Sequence, residues 1–146
     1  SVAGLGMFGA SAQAQISGDV IRIGFITDLS GLYADIDGAP LSGNCTYTVS
    51  GGELDARWWS ITLYEGEGWL VKNEANRWSV GGNAPERDAQ GNWSFTVSPE
   101  RVEGLWLPTG RAPKFDLTLR AYHPKGALLN NPANAKLPTI KKERCA

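Results

Sequence analysis

The chain has 146 residues and a formal net charge of −1, with fourteen lysines and arginines against fifteen acidic residues. So even a balance leaves no electrostatic footprint for nucleic acid or an anionic lipid surface, and neither is an expected partner. The length suits a single domain able to bury a core, while two cysteines and one histidine do not make a zinc set, so no metal or other cofactor is expected.

At the start of the chain, Ser1 to Ala10 is small and apolar, and Ala12-Gln13-Ala14 is the small-x-small pattern that a signal peptidase cuts. Residues 1–14 therefore read as a signal-peptide remnant. No initiator Met or basic stretch precedes them, which fits a piece of a longer precursor. No later apolar run approaches the ~20 residues needed to cross a bilayer, so no span is expected in the mature chain. Residues 15–38 form a front segment built on Val20-Ile21-Arg22-Ile23-Gly24-Phe25-Ile26.

From residue 39 to 146 the pattern is short alternating runs divided by turn residues. Cys45, Tyr47 and Val49 share one face with Thr46 and Thr48 opposite, as in a half-buried strand. Trp58 to Tyr64 repeats the pattern with Trp59, Ile61 and Leu63 inward, and Glu65-Gly66-Glu67-Gly68 is expected to turn it into a hairpin with Trp69 to Lys72. A strand at Arg77 to Val80 follows. Trp93, Phe95 and Val97 then alternate with Ser94, Thr96 and Ser98, behind a turn at Asp88 to Gly91. Phe115 to Tyr122 places Phe115, Leu117, Leu119 and Ala121 inward. Beyond Pro124 the sequence reads as loop: Lys141-Lys142 is taken as a solvated end, and Asn130-Asn131-Pro132 stops any regular element. Seven or so strands without a useful helical period predict an all-β fold, an antiparallel β-sandwich of jelly-roll type with few or no helices.

Cys45 and Cys145 bracket this β-patterned stretch and read as one staple closing one domain. Paired cysteines belong to oxidising compartments, which agrees with a leader and argues for a periplasmic or otherwise extracytoplasmic bacterial protein. The alternative is two unpaired thiols. A bridge should bring the two Cα atoms within about 4.4–6.8 Å.

Several runs in order carry a resemblance. Ala56-Arg57-Trp58-Trp59-Ser60-Ile61-Thr62-Leu63-Tyr64, then Asn73, Asn76, Arg77 and Ser79, then Trp106-Leu107-Pro108-Thr109-Gly110, then Phe115 to Tyr122, then Leu137-Pro138-Thr139-Ile140 together resemble the bacterial exported family called domain of unknown function twelve-fourteen. The resemblance spans about Ala39 to Cys145. It implies a jelly-roll fold and no known activity, in a family whose members often follow a companion domain. A second resemblance covers the front: Val20 to Asp35 is similar to the mature start of periplasmic branched-chain amino-acid receptors. Those receptors are two-lobed α/β proteins with parallel strands and crossover helices, which do not follow here. Residues 15–38 are thus either a receptor-like front or an extra strand.

Two constellations are candidate binding sites. Trp58, Trp69, Trp78 and Trp106 lie off the inward faces, where indoles can stack on sugar rings. Arg57, Asn73, Asn76, Arg77 and Arg120 are polar groups on or beside strands; converging arginines would take a carboxylate or phosphate bidentately. Arginines paired with Asp55, Glu74 or Asp116 would instead pin loops. No catalytic residues are assigned, since Ser50-Gly51-Gly52 and Ser79-Val80-Gly81 lack the nucleophile-elbow pattern and His123 is the one histidine. The expected role is a binding or structural module of the bacterial envelope, its partner an envelope component or a small polar ligand. The alternatives are amino-acid binding through the front segment, or a hydrolase in which His123 meets a serine or carboxylate in a pocket.

Overall fold

Alternation along the strands becomes two facing sheets. The structure, a computed structural model, describes residues 41–65, 68–131 and 134–146. Its strands are β1 (Cys45–Gly51), β2 (Ala56–Glu65), β3 (Ser79–Gly81), β4 (Trp93–Ser98), β5 (Trp106–Pro108), β6 (Phe115–Pro124) and β7 (Thr139–Cys145), with one short helix, α1 (Gly126–Asn130). One sheet runs β5-β4-β1-β7 and the other β3-β2-β6. The all-β sandwich expected from the sequence is the fold.

Each expected inward set is buried: Cys45, Tyr47 and Val49; Trp59, Ile61 and Leu63; Trp93, Phe95 and Val97; Phe115, Leu117, Leu119 and Ala121. Period-two alternation cannot bury one face without presenting the other, so the register of every long strand follows from these positions. Two aromatic pairs join the sheets. Trp59 of β2 stacks on Trp93 of β4 with centroids 4.5 Å apart, and Tyr47 of β1 meets the Phe115 ring of β6 edge-on at 5.7 Å.

Four expectations are corrected. The return limb at Trp69 to Lys72 makes an isolated bridge, Tyr64 to Leu70, instead of a strand. The place beside β2 goes to β3, which starts at Ser79, later than the expected Arg77. The tail beyond Pro124 holds both α1 and β7. Its charged run Thr139 to Cys145 conceals a strand because β7 is a sheet edge, where charge is tolerated and deters pairing with other chains. Finally, β5 lies parallel to β4, although the other four pairings are antiparallel.

Cys45 and Cys145 are disulfide-bonded and stand directly opposite each other on β1 and β7. The Ala146 N–H donates to Asn44 O, which makes the cysteines a non-hydrogen-bonded pair, the closer of the two antiparallel spacings. Their Cα atoms are 3.9 Å apart, shorter than the lower edge of the expected window of about 4.4–6.8 Å, in keeping with the close spacing of that pair. A register shift between Thr46 and Tyr47 inserts Glu143 as an extra residue on β7. Without that bulge, Cys45 would face Arg144.

Candidate functional site

The first candidate cleft lies where β2 begins. Its volume is about 350 Å³, and its lining includes Glu53, Arg57, Trp58, Trp59, Gly82, Asn83 and Arg87. Trp58 is on the outward face of β2, 41% exposed. Its ring packs against Tyr122, its cross-strand neighbour on β6, at 5.2 Å. The Trp58 Nε1–H reaches Asn83 Oδ1 at 3.5 Å.

Arg57 is exposed, and among the described residues its guanidinium makes no hydrogen bond or ion pair. Arg87, by contrast, is fixed: its Nη1 donates to Gly91 O at 3.2 Å and its Nη2 to Gly82 O at 3.1 Å. The turn carrying Gly91 is held by Asp88, whose carboxylate accepts from the backbone N–H groups of Gln90 and Asn92. The Asn92 side-chain amide, then its backbone, hold the Asp88 carboxyl below its ordinary value. One local turn therefore positions one cation at the cleft.

The innermost group is Trp59. It is only 3% exposed. Trp78, Trp93 and Trp106 donate their indole N–H to Val71 O, Gly52 O and Ser98 O respectively. The Trp59 indole N–H has no such acceptor among the described residues. A buried donor left without an acceptor costs about 1–3 kcal/mol. Gly82 lies over it: a Cβ added there would come within 2.7 Å of Trp59 Nε1. Both residues line the cleft, and Gly82 packs its backbone closely over the Trp59 ring, where a side chain would not fit.

A second cleft, of about 630 Å³, is lined by Ala75, Arg77, Arg101, Val102, Glu103, Gly104 and Trp106. Here Arg77 is committed, while Arg101 and Glu103 have no described partner. The Arg77 Nη1 donates to Trp106 O at 2.8 Å, and Asn73 clips its loop, donating to Arg77 O at 3.1 Å and accepting the Arg77 N–H at 3.2 Å. Asn76 turns that loop with φ of 50°. A third cleft, on the far side of the Arg87 turn, carries Glu86 and Asp88.

The expected site residues therefore do not converge. Arg57 and Trp58 share the first cleft, Arg77 and Trp106 the second, and Asn73 and Asn76 shape the loop beside the latter. Arg120 lies on the outer face of β6 with its guanidinium 5.3 Å from the Tyr64 ring centroid. The arginines do not pair with Asp55, Glu74 or Asp116 among the described residues; Arg111 pairs instead with Glu100. His123 is exposed at the end of β6 and has no serine or carboxylate partner among the described residues.

The family model described as a protein of unknown function, DUF1214, matches residues 29–126. The chain belongs to that family. Among solved structures, this DUF1214 chain is similar to the VPA0106 protein from Vibrio parahaemolyticus, with a TM-score of 0.66 and 24% identity over 75% of this chain and 29% of that one. An uncharacterized protein from Burkholderia cenocepacia is similar with a TM-score of 0.53 and 14% identity, over 73% and 28%. At these identities the likeness is one of fold, and the chain spans under a third of the length of either structure. No curated protein matches. The DUF1214 match starts inside the front segment, at residue 29; the structure of residues 1–40, including the receptor-like run, lies outside the described residues.

Sequence reasoning missed Trp59, Gly82, Asn83 and Arg87 as lining residues. Alternation correctly sends Trp59 inward, but burial of a ring does not say where its N–H ends up. The Gly81-Gly82-Asn83 run was the available signal, since consecutive glycines mark a close approach to a neighbour.

Proposed function

We propose that this domain is an extracytoplasmic small-ligand-binding module of the bacterial envelope, with its site at the cleft where β2 begins. Arg57 and Trp58 are the contact residues there. Arg77 and Trp106, with Asn73, Asn76 and Arg120, form supporting structure, because their polar groups already serve loops and neighbouring rings. The carrying observation is an arginine without a described partner beside a braced, half-exposed indole in one concave space. Binding sites combine an apolar platform with a few placed polar groups in this way. The disulfide supports the extracytoplasmic part of the reading, since such bonds persist in oxidising compartments.

Calorimetric titration with a panel of neutral sugars, acidic sugars, amino acids and inorganic phosphate tests the proposal. Saturable heat is expected for at least one class, and it should vanish in Arg57→Ala and Trp58→Ala proteins that keep the wild-type melting behaviour. No saturable binding by any class, or binding indifferent to both substitutions, would reject the site.

A further inference from the structure

We infer that the cleft selects a carboxylated sugar ring, its carboxylate received by the Trp59 indole N–H together with Arg57. The inference rests on the binding reading above and names its ligand class. It starts from the one buried indole donor with no acceptor among the described residues. Other indoles nearby spend their N–H on backbone carbonyls or, for Trp58, on Asn83. Trp59 keeps its own, and its ring is part of the cleft lining.

The surrounding groups set the charge and character of that acceptor. Arg57 and Arg87 supply two cations, against the single carboxylate of Glu53 in the lining. Arg87 spends Nη1 and Nη2 on carbonyls and acts mainly as a fixed positive charge. Arg57 is uncommitted and can offer its planar fork to two oxygens. Asn83 accepts from Trp58 through Oδ1, so its amide hydrogens remain as further donors. Donors therefore dominate the polar lining, which suits an acceptor-only anionic group. Trp58 adds a flat apolar surface, on which the carbon-hydrogen face of a pyranose can lie. One ligand meets both demands: a ring with a carboxylate at its edge, as in a uronic acid. It can arrive free or as a residue of an acidic glycan.

The test compares glucuronate, an oligogalacturonate, glucose and acetate by calorimetry, and follows the six indole N–H resonances of the folded protein by proton–nitrogen NMR. Glucuronate or the oligogalacturonate should bind at least about tenfold more tightly than glucose or acetate, and the Trp59 indole resonance should move the most among the buried indoles. Tighter binding of the oligomer than of glucuronate would identify a glycan as the source. Trp59→Phe, which removes the N–H and keeps an aromatic ring, should weaken acidic-sugar binding about tenfold or more. Should that variant fail to fold, the Trp59 shift in the wild-type protein decides. Glucose binding as tightly as glucuronate, or an unmoved Trp59 resonance at saturation, would overturn the carboxylate assignment while leaving the binding module standing. Failure of every ligand in the wider panel would remove both.

Discussion

The outer face of β1 with β7 and that of β2 with β6 are opposites. On the four-stranded sheet the outer face of β1 and β7 is small and hydrophilic: Ser50 Oγ lies 3.2 Å from Thr139 Oγ1, and Thr48 donates to Glu143 at 2.9 Å, where Lys141 also binds. On the three-stranded sheet the face is aromatic, with Trp58 against Tyr122 and Tyr64 beneath Arg120. Between these large side chains, Ser60 and Thr118 are buried although they point outward. The stapled β1–β7 pair thus has the solvated surface, and β2 with β6 carries the Trp58, Tyr122 and Tyr64 rings and the start of the candidate cleft. The disulfide and the proposed cleft lie on different sheets, which separates the consequences of substituting them.

The largest test breaks the staple. A Cys45→Ser, Cys145→Ser protein loses a closure spanning 100 residues of sequence, for which chain entropy gives about 4.7 kcal/mol. Denaturant titration should show a loss of that order. If the two sheets divide their roles as described, ligand binding measured where the variant remains folded is unchanged; a loss of binding in step with stability would merge them.

Next comes the core. Leu119 of β6 is fully buried on the inward side of the aromatic sheet. Leu119→Ala is expected to cost about 2–5 kcal/mol through lost contacts and a residual cavity. A cost below about 0.5 kcal/mol, the range of an ordinary surface change, would mean that the aromatic face and not the leucine face packs against β1 and β4.

A smaller effect should come from the aromatic pair itself. Tyr122→Ala removes the ring braced against Trp58, and such pairs contribute about 0.5–1.5 kcal/mol beyond burial. Binding at the cleft should weaken as Trp58 loses its brace. The corresponding outward change on the other sheet, Thr48→Ala, should leave binding alone.

The smallest and sharpest contrast is in pH. Burial raises the carboxyl of Asp116 on the aromatic sheet above its ordinary 3.8. Hydrogen bonds from Thr48 first, then Lys141, lower that of Glu143 on the stapled sheet below its ordinary 4.5. With its folded value raised, Asp116 favours the native state as pH falls into the acid range and loses that contribution as pH rises through the folded value. Glu143 does the reverse, its contribution being present above 4.5 and lost as pH falls through the depressed folded value. Denaturation curves of Asp116→Asn and Glu143→Gln, each subtracted from wild type across the acid range, should slope in opposite directions. Parallel slopes would show that the two environments do not differ.

Much of the fold was legible in the chain because alternation is a local signal. Trp59, Ile61 and Leu63 announce the inward face of β2, and Phe115, Leu117 and Leu119 that of β6, whatever lies opposite. β7 was not legible, since Thr139 to Cys145 carries the charges of a sheet edge and has little apolar alternation to read. The short parallel β5 was equally silent, because three residues hold too little pattern to show direction.

What the sequence determined by itself is therefore the β-sandwich class, the membership of the buried faces and the two cysteines as the pair available for a staple. Each rests on composition or on a period that one strand carries alone. Only tertiary structure decided that a bulge at Glu143 brings Cys145 opposite Cys45, that the arginines divide between two clefts, and that Gly82 packs over the Trp59 ring. These depend on register and close approach between segments far apart in the chain, where a one-residue slip changes which side chains meet.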